Sequence, residues 1–268
     1  RGWEVDTWLT GAGVPLVNAD NGRAGNATEA TFNGSEALET YTTLEAMNDA
    51  GLITAFSNTS GQIGHFLAVA GEEASMVIET STAATTITGV LGGTANLAEL
   101  AEGTEGLEGI DIDGLRLQID ASPMPGITDP GKVFISGGAV YMTNTGSPEE
   151  QAAAWEFMKF MNEVEAQKTI HLKGSYLPIT PAVLNDPEVQ AVWEDDAAGQ
   201  WLATAHSQFA NIDPDSAGPA VGPFTEQREA MNNSLEELLL AGGDPQAVLD
   251  QAELEINEAL AAYTDANF

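Results

Sequence analysis

The sequence has no cysteine, which excludes disulfides, thiolate metal sites and cysteine nucleophiles together. Positive charge is nearly as scarce: 8 Lys plus Arg stand against 41 Asp plus Glu, a formal net charge of -33 over 268 residues. Gripping a phosphate backbone needs a field of the opposite sign, so nucleic acid is excluded as a partner. An anionic membrane surface repels such a chain as well. Apolar runs are short, far below the roughly 20 residues that cross a bilayer. What the chain does hold is 43% hydrophobic residues, enough for a real core in one or two domains. The acidic residues are scattered, as on a solvated surface. The chain starts at Arg1 without an initiator Met, in mid-stride at Trp3-Glu4-Val5-Asp6-Thr7-Trp8, as expected of a processed or truncated chain.

Helical and strand-like segments alternate with no fixed repeat, which predicts an α/β fold. Residues 10–34, rich in Gly, Asn, Ala and Thr, read as loop. A helix follows, capped by Asn33 or Ser35, with Leu38, Tyr41, Leu44 and Met47 spaced three apart and Gly51 at its end. Ala74 to Ser81, short and β-branched, reads as a buried strand, and polar Thr80, Ser81 and Thr82 stand at its end. Residues 94–109 look helical, Leu115 to Ile119 alternates like a half-buried strand, and Lys132 to Asn144 reads as another strand. Between them, Ser122-Pro123-Met124-Pro125-Gly126 and Asp129-Pro130-Gly131 break any regular element. Ser147-Pro148-Glu149-Glu150 is a capping-box start. Its helix carries Trp155, Met158 and Met161 on one stripe beside Phe157 and Phe160, a pattern that predicts heavy burial. Gly174 closes that region, and Tyr176 to Pro181 is extended because a residue before proline is pushed out of the α region. Further helices are expected from Asp186-Pro187-Glu188, from Thr225 to Leu240 and from Pro245 to about Tyr263.

Catalytic templates find no match. His65, His171 and His206 lie far apart, outside any zinc-binding pattern, and read as ordinary polar residues. Gly11-Ala12-Gly13 and Gly137-Gly138 do not extend into a nucleotide fingerprint, and no serine-hydrolase elbow occurs. Asp111-Ile112-Asp113-Gly114 lacks the spaced acceptors of a calcium loop and reads as a turn. No metal, cofactor or catalytic residue is therefore expected, and the chain is not expected to be an enzyme. What remains suits a neutral polar ligand: aromatic faces, hydroxyls and exposed backbone N–H groups at element ends, namely Trp8, Tyr176 and the Thr80-Ser81-Thr82 cluster.

The order of these features resembles a known family. SGGAVYMTNTGSPEEQAAAWEFMKFM followed by GSYLPITPAV is similar to the extracellular solute-binding proteins of ABC importers, carbohydrate-type family 1. The Trp-rich opening, the helix after Asn33, the segment Ala74 to Ile78 and the closing GPAVGPFTEQREAMNNSLEELLLAGGDP extend the likeness over nearly the whole chain. The glycerol-3-phosphate-binding branch is the nearest that these motifs suggest. The resemblance implies a two-lobe, type II periplasmic-binding fold of which the chain looks like about the C-terminal three-fifths. On that basis residues 1–126 and 177–268 form an essentially complete C-terminal lobe, and 130–174 return to an N-terminal lobe largely missing here. Hinge crossings then fall near 123–131 and 174–181.

Carried over residue by residue, the ligand contacts are Trp8 as a cleft platform, Thr80 or Ser81 as hydroxyl donor, Gly137 and Gly138 as backbone donors, and Tyr176 at the second crossing. The phosphate-binding form of the family places an arginine within the motif that reads GPAVG here, where this chain has Ala220. Arg228, beside Glu226 and Glu229, reads as a surface ion-pair member. Without a local cation a phosphate dianion is disfavoured. The resemblance thus implies capture of a neutral sugar or polyol for the permease subunits of an importer, by a monomer outside the cytoplasm, either free in the periplasm or lipid-anchored. Glycerol 3-phosphate or a glycerophosphodiester is the alternative ligand, and a glycoside hydrolase is the rival from another class. The chain alone is expected to bind sugar weakly, because the cleft is shared between lobes.

Overall fold

The computed structural model describes residues 2–57, 64–91, 119–127, 131–133, 135–212 and 217–268. The expectations at residues 94–109, at 111–118 and at 128–130 lie outside the described residues. Ten helices carry the described architecture: α1 (Gly2–Gly11), α2 (Ser35–Asp49), α3 (Gly64–Ala70), α4 (Ala84–Leu91), α5 (Pro148–Met161), α6 (Val164–Gly174), α7 (Pro187–Asp195), α8 (Ala197–Ser207), α9 (Phe224–Leu240) and α10 (Pro245–Asn267). Short helical turns at Asn18–Asn21, Ser81–Ala83, Pro181–Leu184 and Gln208–Asn211 join them.

The main core lies where α1, α2, α9 and α10 converge. Val5 and Leu9 of α1, Tyr41 and Leu44 of α2, Met231 and Leu238 of α9, and Leu249, Ile256 and Leu260 of α10 are buried together with Leu16 and Phe32 of the intervening loop. These side chains recur at three- and four-residue spacing on α9 and α10, which gives each helix one apolar stripe and fixes their pairing. Ser234, a polar residue inside this core, donates to the Met231 carbonyl and accepts from the Tyr41 hydroxyl at 2.6 Å. A smaller cluster joins Ala84 of α4 to Ala198 and Leu202 of α8, with Leu177, Trp193 and Trp201 packed against it.

Helix starts follow local chemistry closely. Ser147 accepts from the Glu150 backbone while the Glu150 carboxylate accepts from the Ser147 backbone at 2.7 Å, with Pro148 in the first turn. Asp186, Asp196 and Asp244 cap α7, α8 and α10 by accepting from the backbone of Glu188, Gly199 and Ala247. The start of α2 differs from expectation. Gly34 is its cap residue, and the Asn33 amide is drawn away to Asp250 and Glu253 of α10. Helices α1, α3, α4 and α8 were not foreseen.

The strand expectations need correction. The described residues contain helices and one isolated bridge, Val17 to Ala30, and no sheet ladder. Ala74 to Thr80 is irregular backbone and Met76 is 85% exposed, so this is no buried strand. The described part of 132–144 is likewise unpaired, with Ile135, Tyr141 and Met142 exposed. A strand is stable only when a neighbour takes its backbone groups, and the described residues offer these segments none. The same holds for α5, none of whose side chains is buried: Trp155 is 52% and Phe160 53% exposed. Its apolar stripe is real, yet nothing described in the chain covers it.

Candidate functional site

The segment at residues 123–127 is tied down from two sides. The Trp8 indole N–H, on the last turns of α1, donates to the Pro125 carbonyl at 2.9 Å. The adjacent Met124 N–H donates to the Gln208 side chain at 2.8 Å, just beyond α8. Ile127 packs on the main core. This segment therefore straps α1 to the end of α8, and Trp8, half-buried, has its polar edge committed to backbone.

Helix α6 ends at Gly174, and Ser175 adopts a left-handed conformation, φ 57°. Such a conformation is uncommon away from glycine, Asn and Asp, and here it is held by hydrogen bonds. The fully buried Ser175 Oγ donates to Thr85 Oγ1 at 3.0 Å and accepts from the Thr85 backbone at 3.3 Å. Thr85 opens α4, directly after the turn Ser81–Ala83 whose N-cap is Thr80. The Thr80 hydroxyl accepts from Thr82 and its backbone N–H donates to the Glu79 carboxylate at 2.8 Å. The other Glu79 oxygen lies 2.8 Å from His65 Nε2.

Of the expected contacts, Thr80, Ser81 and Tyr176 are thus linked through Thr85 and Ser175. Tyr176 itself is 48% exposed, with its ring available to solvent. Trp8 is bonded instead to the Pro125 carbonyl. Gly137 and Gly138 stand apart in the exposed stretch before α5, and a Cβ placed on either would meet nothing within 4 Å among the described residues. The sequence reading missed Glu79, bonded to Thr80 and His65, and it missed Gln208, His171 and Trp193, whose contacts Gln208–Met124 and His171–Trp193 span 84 and 22 positions.

The GPAVG segment is wedged against the loop at residues 18–22. Ala220 donates from its backbone to the Asn21 carbonyl at 2.9 Å, and the Asn21 amide donates to the Ala217 carbonyl at 2.8 Å. Gly22, at φ 84°, lies so close to the Ala220 carbonyl that a Cβ would overlap it. The Ala220 side chain itself is exposed. Arg228, taken from sequence as a surface ion-pair member, extends over the Phe224 ring, 5.7 Å from its centroid. No group of three or more His, Asp or Glu side chains that could hold a metal occurs among the described residues, and no described helix is long and apolar enough to cross a membrane.

Residues 6–199 match the family of bacterial extracellular solute-binding proteins, and the chain belongs to that family. Membership brings the two-lobe periplasmic-binding architecture and a place outside the cytoplasm. Among curated relatives, the sn-glycerol-3-phosphate-binding periplasmic protein UgpB of Pectobacterium atrosepticum is 24% identical over 257 residues, covering 94% of this chain and 52% of its own. The protein of the same name from Yersinia pestis is 23% identical over 268 residues, covering all of this chain and 56% of its own. That of Rhizobium meliloti is 28% identical over 131 residues, 48% of this chain and 30% of its own. The chain spans about half the length of the Pectobacterium and Yersinia relatives.

Proposed function

We propose that the chain is part of the substrate-binding component of an ABC importer, capturing a neutral polyhydroxylated solute, a sugar or polyol, and presenting it to permease subunits. Capture involves no bond making or breaking. Lobes close about the two crossings, and the closed form is what the permease recognises. Trp8 supplies an aromatic face at the first crossing and Tyr176 one at the second. Thr80 and Ser81 supply hydroxyls beside Tyr176, and Gly137 and Gly138 supply backbone donors. The observation that carries this reading is the hydrogen-bonded junction of Ser175 with Thr85, which sets Tyr176 and the Thr80–Ser81 turn as one unit.

Residues 1–126 and 177–268 are taken as one lobe and 130–174 as a return to the other. The exposed apolar side chains of Ile135, Tyr141, Trp155 and Phe160 support that division, since they are surfaces a second lobe would cover. Ligand neutrality rests on charge. Ala220 stands where a phosphate-binding arginine would, and the Glu79 carboxylate adjoins Thr80. Beside Glu79 a phosphate dianion would meet repulsion, and the guanidinium described near Ala220, that of Arg23, donates to the Asn21 carbonyl at 3.5 Å.

Glycerol 3-phosphate is the second reading, favoured by the relatives that carry that name. A thermal-shift panel of glucose, maltose, glycerol and glycerol 3-phosphate on the whole gene product separates the two, because a ligand raises stability by RT ln(1 + [L]/Kd).

A further inference from the structure

The corner that presents Tyr176 is held from behind by an imidazole. His171 sits one turn before the end of α6 and is 1% exposed. Its Nδ1 lies 2.6 Å from the Tyr176 carbonyl oxygen, and its Nε2 lies 2.8 Å from the Trp193 indole nitrogen of α7. An indole N–H can only donate and a carbonyl can only accept. Nε2 must therefore be bare and Nδ1 must carry the proton. One form of histidine meets both demands, the neutral Nδ1–H tautomer. An imidazolium would point a second proton at the indole N–H and break that contact. Ser175, between His171 and Tyr176, is meanwhile pinned to Thr85 of α4.

We propose that His171, clamped as the neutral Nδ1–H tautomer by Trp193, is a positioning residue that fixes the Tyr176 corner for ligand contact, and that its protonation loosens this corner. The inference rests on the reading of Tyr176 as a ligand contact. The surroundings agree with it. Burial disfavours the charged ring and holds the His171 pKa below the ordinary histidine value, despite the opposing hydrogen bond to Tyr176. His206 of α8, its ring centroid 5.4 Å from that of Trp193, repels a proton on His171 as well. From α4 it is the Thr85 hydroxyl that reaches this corner. On α6 itself the Lys168 ammonium is engaged by Glu165, Asp186 and Glu188.

Two measurements test this. Nitrogen-15 NMR of the 268-residue chain reads the tautomer directly. The expected result is a protonated Nδ1, with the Trp193 indole proton and the Leu177 amide moving in step as His171 titrates. An Nε2–H tautomer, or a Trp193 indole signal indifferent to that titration, overturns the latch whatever the ligand proves to be. In the whole gene product, affinity is then followed against pH with whichever of glucose, maltose, glycerol and glycerol 3-phosphate binds. His171→Ala should weaken binding about fivefold at pH values where His171 is neutral, the scale of one lost buried hydrogen bond, and the gap to wild type should close as His171 is protonated. His171→Asn keeps a donor near the Nδ1 position without a titrating ring, so affinity should be largely restored and its loss on acidification abolished. Wild-type affinity that stays flat through the His171 titration, with the tautomer as expected, also overturns the positioning role. If Tyr176→Ala leaves affinity unchanged, the ligand-contact reading falls instead.

Discussion

Gln227 of α9 donates from its side-chain amide to both carboxylate oxygens of Asp6 in α1, at 3.3 and 3.2 Å, with both residues buried. This contact joins the first described helix to the four-helix core from inside. It also leaves the Gln227 amide oxygen buried with no hydrogen-bond partner among the described residues. Burial raises the Asp6 pKa from 3.8 to about 7, with the Gln227 hydrogen bond and the Arg228 charge opposing and Glu4 adding.

The sign of the resulting pH dependence is fixed by that direction. Between 3.8 and about 7 the folded chain keeps a proton on Asp6 that the unfolded chain has lost, so stability falls as pH rises through this window. Asp6→Asn removes the charge and adds a donor that can reach the unsatisfied Gln227 oxygen. Stability at pH 8 should rise by about 1–3 kcal/mol, and the decline between mildly acidic and neutral pH should flatten. Urea denaturation of both chains at a series of pH values measures this. His171 contributes with the opposite sign, its lowered pKa withdrawing stability as pH falls below about 6.5.

Replacing Gly22 by alanine should be costly. The position combines φ 84° with contact against the Ala220 carbonyl, so the new Cβ meets both backbone strain and a clash. A loss of roughly 2 kcal/mol or more is expected. Gly13→Ala, at φ 81° but with nothing described within 4 Å, is the control and should lose only about 1 kcal/mol. Equal losses in denaturant midpoint would contradict the wedge between residues 18–22 and GPAVG.

Asp244 caps α10 through the Ala247 backbone at 3.0 Å. Asp244→Ala should lower stability by about 1 kcal/mol. Because α10 supplies Leu249, Ile256 and Leu260 to the main core, the loss should appear in global unfolding and not merely as fraying. Amide exchange at those three residues distinguishes the two outcomes.

The starts of α5 and α7 were legible in sequence because a cap is decided within four residues, as at Ser147-Pro148-Glu149-Glu150 and Asp186-Pro187-Glu188. The stripes of α9 and α10 were legible for the same local reason. Other features depend on a partner. The stripe of Trp155 and Phe160 says that a helix is amphipathic, not what covers it. Residues 74–80 and 132–144 have strand-like composition, yet a ladder needs a second strand, and none is described beside them. The candidate site was half visible. Thr80, Ser81 and Tyr176 were singled out by their places at element ends. The His171–Trp193 clamp spans 22 positions and leaves no local mark.

Trp8 separates two roles by substitution. Trp8→Phe keeps an aromatic face but loses the hydrogen bond to Pro125, and should cost about 1 kcal/mol of stability with a small change in affinity. Trp8→Ala should lose affinity about tenfold or more, on the scale of one stacking contact. Calorimetry on the gene product, with thermal unfolding as the control, reads both. Equal affinity in wild type and Trp8→Ala would remove Trp8 from the site.

The central claim, capture of a neutral solute, meets its most direct test in the thermal unfolding of the whole gene product with glucose, maltose, glycerol and glycerol 3-phosphate at matched concentrations. A neutral sugar or polyol should give the largest upward shift, saturating with concentration. Glycerol 3-phosphate giving the largest shift would contradict the account and assign the chain the ligand its relatives are named for.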